Sequence, residues 1–323
     1  MKAWWRAAAL AWLAVVALTP YARAQTPTNC PPEAPSAAEL PAADGKDRGL
    51  LWRLTRDGRT SYLFATMHLG QASWRELGPA VKEAVRDSDL VALELDLSDP
   101  DILRDLVKVV TELAAGLRIE LSDALRERVA ALARAACLPE ASIATMHPLM
   151  QAMGLTMRVL QRDGLHPAFG QEVALKRFAM TNNRHVLSLE TPAQQFAAML
   201  PEPGDSLERQ LARAVTQLEQ GRAGAMLRRM ASAWERGDFD ELAAYASWCE
   251  CADDAQDRRA LVRMNDERNT PMAKRIDELH RRDLKVFAAV GALHMTGEQA
   301  LPRLFQQMGF QVERVVMSNV IPR

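Results

Sequence analysis

Four residues with chemically useful side chains lie at or just beyond the carboxyl ends of predicted strands: His68, Glu94, Glu190 and His294. In open α/β sheets, ligands bind at the edge where the carboxyl ends of the strands lie, so one sheet could bring these residues together. Two imidazoles with one or two carboxylates form a donor set for a divalent metal such as Zn, Mn, Co or Fe, with positions left open for water. Such a metal lowers the pKa of bound water and polarises a carbonyl group, while a neighbouring glutamate serves as general base.

Each of these residues also has a structural interpretation. A single histidine near a strand end is more often a hydrogen-bonded structural residue, and a glutamate there is more often a helix cap or an ion-pair partner. The coincidence of four such residues is what favours the metal site. The remaining histidines are predicted to be structural or surface residues: His147, His166, His185 and His280.

Several other enzyme and binding classes lack their signatures in this sequence. It contains no HExxH helix, GxSxG elbow, SxxK pair, GxxxxGK(S/T) loop or GxGxxG turn. Zincin, serine-hydrolase, nucleotide and dinucleotide chemistry are therefore disfavoured. Because 40 Lys and Arg side chains stand against 41 Asp and Glu, for a formal charge of −1, no nucleic-acid partner is expected.

The amino terminus is predicted to be an export signal. Lys2 and Arg6 precede an apolar run over residues 7–18, and Ala22-Arg23-Ala24 supplies small residues at the cleavage position. This pattern is typical of a secretory signal peptide over residues 1–24, cleaved after Ala24. The alternative of a retained membrane anchor is disfavoured because a bilayer-spanning helix needs about 20 apolar residues. We therefore expect a periplasmic or secreted protein without a membrane span after cleavage.

Four cysteines remain after this cleavage: Cys30, Cys137, Cys249 and Cys251. Exported proteins enter compartments where disulfides form, so structural disulfides are the favoured interpretation. Four cysteines allow three complete pairings, and the sequence does not choose among them. The alternative for Cys249-Glu250-Cys251 is a redox or soft-metal pair, although no histidine or methionine ligand lies nearby.

The chain is organised as a Pro-rich flexible leader over residues 25–48 and a single domain over residues 49–323. Strands are predicted as a hairpin over 51–65 with an Asp-Gly turn, and over 90–97, 185–189, 285–290 and 311–316. The regions 100–182 and 206–282 have mostly helical apolar spacing. We expect an α/β (α+β) fold, with a central mixed sheet built from N- and C-terminal segments, flanked by helices and carrying a large helical middle insertion.

Local patterns place the candidate residues more closely. Alternating apolar residues over 90–97 predict a strand with Glu94 and Asp96 on one face. Farther along, Asn269-Thr270-Pro271 is predicted to restart a helix, and Thr296-Gly297 to open the last one. Candidate side chains are thus expected beside strand ends and helix starts.

Six segments occur in a characteristic order along the domain. The segment Tyr62-Leu63-Phe64-Ala65-Thr66-Met67-His68 is followed by those around Glu94, Glu172, Glu190, Arg268-Asn269 and Gly291-Ala292-Leu293-His294. In this order they resemble the TraB/GumN family, which is related to the Tiki metalloproteases and, more distantly, to haem-binding ChaN-like and erythromycin-esterase-like proteins. The hallmark of the family is a pair of GxxH motifs, so the resemblance implies a metal-dependent hydrolase with both histidines near the metal.

Carried over to this chain, the resemblance implies His68 and His294 as metal-site residues, with Glu94 as a ligand or general base. It also implies that the same pocket is lined by Glu172, Glu190, Arg268 and Asn269. The first motif departs from the family pattern because Ala65 stands where the family has glycine. If that position needs a positive φ, alanine costs about 1 kcal/mol or more and shifts His68, whereas alanine is nearly neutral if only a small side chain is needed.

The leading functional hypothesis is an exported, peptidase-like metal-dependent hydrolase. Metal-activated water would attack a peptide or another small extracytoplasmic substrate, with Glu94 or Glu190 as base. Two alternatives without catalytic turnover stay open: a periplasmic haem- or metal-binding protein, and an accessory protein of envelope or exopolysaccharide assembly. The metal, the substrate and the oligomeric state are not determined by the sequence.

Overall fold

The computed structural model describes Cys30, Leu40 and residues 43–116, 120–202 and 205–317 of the 323-residue chain. The chain divides into two compact units, residues 1–30 and 31–323. Only Cys30 is described in the first unit, so the predicted signal peptide at 1–24 lies outside the described residues, as does most of the predicted leader at 25–48. The helices and strands below all belong to the second unit.

Six strands form one mixed sheet. They are β1 (Leu50–Arg56), β2 (Arg59–Thr66), β3 (Leu90–Leu93), β4 (His185–Ser188), β5 (Val286–Gly291) and β6 (Gln311–Arg314), ordered β4-β3-β5-β2-β1-β6 across the sheet. Strands β4, β3, β5 and β2 run parallel, whereas β1 pairs antiparallel with both β2 and β6. The carboxyl ends of the four parallel strands therefore lie at one edge of the sheet.

The β1–β2 hairpin follows directly from its sequence. Asp57 and Gly58 both have positive φ, 52° and 72°, as the two central residues of a type I′ turn require, and Asp-Gly favours that turn. Arg56 pairs with Arg59 across it. The predicted hairpin is confirmed.

Strand β3 is shorter than its alternating sequence predicts. It ends at Leu93, so Glu94 and Asp96 follow the strand, and the prediction that they share a strand face was wrong. A parallel strand between two neighbours is covered on both faces and reads as a continuous apolar run, and all four β3 residues are buried. Beyond the strand Leu97 is 55% exposed, so apolar alternation did not indicate burial there.

Helices flank the sheet and occupy most of the middle of the chain. The α-helices are α1 (Pro79–Asp87), α2 (Pro100–Gly116), α3 (Asp123–Ala135), α4 (Glu140–Ala144), α5 (Pro148–Arg162), α6 (Gln171–Thr181), α7 (Pro192–Met199), α8 (Leu207–Glu219), α9 (Arg222–Glu235), α10 (Phe239–Ala243), α11 (Tyr245–Trp248), α12 (Ala255–Met264), α13 (Asp266–Arg281) and α14 (Leu301–Gln307). Short 3-10 helices cover Ala72–Arg75, Pro167–Phe169 and Ala292–Met295. The expected mixed α/β architecture is confirmed. Among the described residues, no helix is long and apolar enough to cross a membrane.

The helix that carries Arg268 and Asn269 begins earlier than predicted. The break between α12 and α13 lies at Asn265, with φ −120° and ψ −71°, so both residues fall in the first turn of α13 and Pro271 lies inside the helix. A proline disturbs the turn that precedes it, because its ring crowds the carbonyl four residues back. The break therefore comes before Pro271 and not at Asn269.

The last helix begins later than predicted. Gly297 has a φ of 86°, which is outside the helical region. Helix α14 instead starts at Leu301 with Pro302 in its first turn, where proline is tolerated. His294 consequently lies in the short 3-10 helix that directly follows β5.

The hydrophobic core consists of two clusters. The larger one surrounds the sheet and includes Phe64, Phe287 and Trp234. The smaller one lies within the helical middle, where Val129 and Leu155 pack with residues of α8. The sheet and the helical middle are thus stabilised by separate hydrophobic clusters.

All four cysteines are disulfide-bonded. Cys249 and Cys251 pair with each other, and neither Cys30 nor Cys137 is a free thiol. The prediction of disulfide bonds is confirmed.

Candidate active site at the strand ends

The strand ends bring the sequence-predicted residues together. The residues that follow β2, β3, β4 and β5 are His68, Glu94, Glu190 and His294, respectively. The two imidazoles face one oxygen of Glu94: Nε2 of His68 lies 3.9 Å and Nε2 of His294 lies 3.7 Å from Glu94 Oε1. Helices α6 and α13 add the other three candidates, Glu172, Arg268 and Asn269. We call these seven residues the strand-end cluster.

His294 is buried and held in one tautomer. Its Nδ1 lies 2.6 Å from Asn269 Oδ1, while Asn269 Nδ2 donates to the carbonyls of His294 and Gln299 at 3.2 and 2.9 Å. Because the amide nitrogen is used by two carbonyls, Asn269 presents its oxygen to the ring, and Nδ1 of His294 carries the proton. Burial lowers the pKa of His294 to about 4. The ring is therefore neutral near pH 7, with the lone pair of Nε2 on the side of Glu94.

His68 is the exposed member of the pair, with 63% of its side chain accessible. Its Nδ1 lies 2.9 Å from Glu172 Oε1, which also accepts the Thr66 hydroxyl at 2.5 Å. The negative charge of Glu172, helped by this hydrogen bond, raises the pKa of His68 above its ordinary value of 6.5. Burial would raise the pKa of Glu172, but the charge and hydrogen bond of His68 and the Thr66 hydroxyl lower it overall. Because Nδ1 of His68 is hydrogen-bonded to Glu172, its Nε2 points toward Glu94.

Glu94 is the central carboxylate, and its two oxygens have different partners. Oε1 accepts the Gly291 N–H at 2.6 Å and faces both imidazoles. Oε2 accepts from Gln195 Nε2 at 3.0 Å and from Arg268. Burial alone would raise the pKa of Glu94, but the two histidines, Arg268 and the Gly291 N–H together lower it to about 2. Glu94 is therefore ionised near pH 7.

Arg268 joins Glu94 to Glu190. Its Nε and Nη2 donate to the two oxygens of Glu190 at 2.9 and 2.5 Å, and Nη2 also contacts Glu94. The three side chains are largely buried, with 13%, 5% and 4% of Arg268, Glu94 and Glu190 accessible. Burial opposes the charge of Arg268, but the two carboxylates outweigh it and raise its pKa further above the ordinary value. Both oxygens of Glu190 are used to hold the guanidinium.

Two further residues contact the cluster without having been predicted from the sequence: Gln195 and Thr66. Gln195 Nε2 lies between the two buried carboxylates, 3.0 Å from Glu94 and 3.3 Å from Glu190. Thr191 forms a capping box that opens α7, the helix that carries Gln195. One signal in the sequence could have indicated Gln195. It lies one turn into the helix that begins directly after the candidate carboxylate Glu190.

Glycines let the loops of the site approach closely. A Cβ on Gly170 would lie 2.4 Å from the carbonyl oxygen of His68, and one on Gly291 would lie 3.2 Å from Glu94 Oε1. A Cβ at the glycine of the second GxxH motif would therefore press on Glu94 unless that carboxylate moved by a few tenths of an ångström. Its counterpart Ala65 is a buried residue of β2 and is not among the described residues with positive φ. A small side chain is enough at that position, and alanine introduces no backbone strain.

The other four histidines lie outside the strand-end cluster. His147 caps α5, His166 forms a backbone bridge, His280 is buried against the Ser61 hydroxyl at 2.9 Å, and His185 is exposed at the start of β4. Their contacts agree with the structural and surface roles predicted for them.

The donor set of the cluster suits a divalent cation by its charge. Three carboxylates stand against one guanidinium, so two negative charges are uncompensated when both imidazoles are neutral. Nε2 of His294 is already unprotonated, as a ligand must be. The donors are spaced more widely than in a formed site, and no group of three or more His, Cys, Asp or Glu side chains in the described ranges is already arranged to hold a metal ion. A cation held by His68, His294 and Glu94 together would draw these side chains closer than they lie in this structure.

The fold and the cluster define an α/β protein with a carboxylate–histidine site at the carboxyl edge of a mixed sheet. A model described as the TraB/PrgY/gumN family matches residues 50–314. The chain belongs to this family, and the resemblance found in the sequence is confirmed. Neither the curated proteins nor the solved structures give a match.

Proposed function

We propose that this chain is an exported metal-dependent hydrolase of the peptidase type, acting at the strand-end cluster. The observation that carries the proposal is the approach of two imidazole Nε2 atoms to one oxygen of Glu94, at 3.9 and 3.7 Å. The remaining polar atom of each side chain is hydrogen-bonded: Nδ1 of His68 to Glu172, Nδ1 of His294 to Asn269, and Oε2 of Glu94 to Gln195. These bonds hold the two Nε2 atoms and Oε1 toward one another. The uncompensated negative charge of the cluster favours a divalent cation such as Zn, Mn, Co or Fe.

His68, His294 and Glu94 are the residues that would hold the cation. When bound, a divalent cation supplies Lewis-acid chemistry, because it polarises a carbonyl oxygen and favours the ionised form of water. Asn269 and Glu172 orient the two imidazoles through their Nδ1 atoms, and such partners raise the basicity and fix the tautomer of a ligating histidine.

Glu172 is the carboxylate of the cluster most accessible to water or substrate. Glu190 uses both oxygens to hold Arg268, and Glu94 is occupied on both oxygens and almost fully buried. Glu172 has 20% of its side chain accessible, and its hydrogen bonds with His68 and Thr66 both use Oε1. Its lowered pKa keeps Glu172 ionised near neutral pH, so its Oε2 would be the oxygen that accepts a proton from water or substrate.

Export is a separate element of the proposal. The basic, apolar and small-residue pattern over 1–24 supports it, and the fully disulfide-bonded cysteines suit the periplasm or the exterior. N-terminal sequencing of the protein recovered from the periplasm or medium is expected to begin at Gln25. A cytoplasmic protein that retains residues 1–24 would contradict this element.

Elemental mass spectrometry is the first test of the site. Wild-type protein purified without chelators is compared with His68→Ala and His294→Ala, and His185→Ala serves as control because that residue is exposed at the start of β4. Near-stoichiometric metal is expected in wild type and control and not in the two site variants. A folded wild type that holds no Zn, Mn, Co or Fe even after soaking would overturn the proposal.

Turnover is tested separately on a diverse peptide library. Cleavage should disappear with a chelator, return with the bound metal, and be lost in Glu172→Gln while that variant still holds metal. A metal-loaded wild type that cleaves no peptide would contradict the peptidase and favour the metal- or haem-binding alternative.

A further inference from the structure

The segment between α11 and α12 closes on itself through the disulfide bond of Cys249 and Cys251. The two cysteines are two residues apart, so the bond encloses Glu250 alone. A disulfide stabilises a fold mainly by restricting the unfolded chain, and its contribution rises with the length of the loop that it closes. This bond closes a very short loop and ties no distant parts of the chain together. It therefore contributes little to the stability of the fold.

The backbone inside this loop has an unfavourable conformation. Glu250 has a φ of 52°, in the left-handed region that costs free energy for a residue other than glycine. The closed loop thus contains backbone strain, and strained disulfides are reduced more readily than unstrained ones. Both the small stabilisation and the strain distinguish this bond from one that holds a fold together.

The two sulfur atoms are not equivalent. Cys249 is 2% exposed, whereas Cys251 is only partly buried, so an incoming thiolate approaches Cys251. The Cys251 N–H donates to Cys249 Sγ at 3.1 Å. A donor at that sulfur stabilises the thiolate that leaves when Cys251 is attacked, and a better leaving group speeds the exchange. Access and leaving-group stability therefore favour the same direction of attack.

Helices α8 and α9 hold the loop from outside. The Glu250 carbonyl accepts a hydrogen bond from Gln217 Nε2 at 2.9 Å, and the Glu250 carboxylate lies 2.8 Å from Arg222. Neither contact uses a sulfur atom, so opening the disulfide removes neither. They keep the two cysteines within reach of each other in the reduced state. The loop is thus suited to open and to close again.

We propose that the Cys249–Cys251 disulfide is redox-active and oxidises a dithiol. One thiolate of the dithiol attacks Cys251 Sγ, and the electron pair of the Cys249–Cys251 bond goes to Cys249 Sγ, which takes up a proton. The second thiolate then attacks the substrate sulfur of this mixed disulfide and displaces Cys251, which takes up the other proton. The dithiol loses two electrons and two protons, and the two cysteines gain them.

The geometry favours a dithiol over a monothiol as the substrate. Cys249 stays beside the mixed disulfide, where its thiolate can attack Cys251 again and expel the incoming thiol. A dithiol carries its own second thiol and completes the exchange within one complex, whereas a monothiol must wait for a second molecule. This activity goes beyond hydrolysis at the strand ends, because it uses none of the seven strand-end residues.

The first test treats the oxidised full chain with a hundredfold excess of a reduced, capped Cys-Gly-Gly-Cys peptide without oxygen. After acid quenching and alkylation, mass spectrometry should find Cys249 and Cys251 labelled, Cys30 and Cys137 unlabelled, and the peptide two hydrogens lighter. Glutathione at the same thiol concentration should open the bond at least tenfold more slowly. A bond that stays closed, glutathione that matches the peptide, or equal labelling of all four cysteines would overturn the proposal.

Serine variants test the direction of attack and the absence of a structural role. The free Cys251 of Cys249→Ser should react with an aromatic disulfide reagent at least tenfold faster than the free Cys249 of Cys251→Ser, and equal rates would contradict the assignment. The double serine variant should melt at nearly the wild-type temperature and should leave the peptide reduced. A large loss of thermal stability would show that the bond is a structural one.

Discussion

The strand-end cluster and the helical middle differ in how completely their buried polar atoms are hydrogen-bonded. Glu94 and His147 are similarly buried, 4% and 5% exposed. Both oxygens of Glu94 accept hydrogen bonds from the protein, whereas His147 Nε2 has no partner among the described residues. Burial is therefore not what separates the two regions. The difference is that Glu94 belongs to a network of side chains, whereas His147 caps a helix through Nδ1 alone.

Topology explains much of this difference. Parallel strands deliver the residues that follow them to a common edge, where side chains from distant parts of the chain face one another. In the helical middle, His147 instead precedes the first turn of α5, and its side chain accepts a local hydrogen bond from the Leu149 N–H. A local cap of this kind uses one ring nitrogen, whereas residues that converge from different strands supply partners for both.

The largest effect is expected from removing the Arg268 guanidinium that the two buried carboxylates share. Arg268→Met leaves two buried carboxylates without a counter-charge, which should lower the free energy of unfolding by about 3–5 kcal/mol. Urea denaturation measures it. Arg275→Met on the same helix is the control, since Arg275 is 48% exposed and lies 3.7 Å from Glu278, a pair worth less than about 1 kcal/mol. Similar losses in the two variants would mean that the cluster is not a tightly coupled network.

A smaller effect is expected from the residue that fixes the His294 tautomer. Asn269→Leu removes the acceptor of His294 Nδ1, and loss of such a partner lowers metal affinity by about 10- to 100-fold. Asn269→Asp keeps the acceptor for His294 Nδ1 but sets its second oxygen against the His294 and Gln299 carbonyls, so it should retain more metal affinity than Asn269→Leu at a cost in stability. Competition titration against a chromogenic chelator measures both variants. Wild-type affinity in Asn269→Leu would contradict the orienting role.

Two glycine substitutions compare how tightly the two regions are packed. A Cβ on Gly170 would meet the His68 carbonyl oxygen at 2.4 Å, whereas the nearest contact for one on Gly154 in α5 is Ile143 at 3.9 Å. Gly170→Ala should therefore destabilise the protein by about 1–3 kcal/mol. Gly154→Ala should stabilise it by about 0.5–1 kcal/mol, because alanine is the better helix former. Thermal melts of both variants test this, and the same sign for both would refute the contrast.

The smallest effect concerns pH. Because Glu172 raises the pKa of His68 in the folded state above 6.5, the pair stabilises the metal-free protein fully below about pH 6.5 and loses that contribution as the pH rises above it. His68→Gln cannot change charge, so its unfolding free energy should fall less between neutral and alkaline pH than that of wild type. Urea denaturation with a chelator present measures the two slopes, and parallel slopes would show that the pair is not coupled to folding.

The sequence by itself determined those elements whose structure depends on residues adjacent in the chain. The Asp57-Gly58 hairpin, the apolar strands before Glu94, Glu190 and His294, and the capped start of α7 all follow from local turn, burial and capping rules. Those rules were enough to place the candidate residues at strand ends. They failed at the end of β3, which stops before the apolar alternation does, and at the break before α13, which comes earlier than the Asn269-Thr270-Pro271 pattern predicts.

Only the tertiary structure decided how these residues pair. It assigns Arg268 to Glu190 and Glu94, Asn269 to His294 and Glu172 to His68, brings in Gln195, and shows that Ala65 is unstrained. It also shows that His147, which the sequence indicated only as a structural or surface residue, is buried and caps α5. The physical reason is that hydrogen bonds, charges and cavities depend on distances between atoms that are far apart in the chain, and local patterns carry no information on those distances.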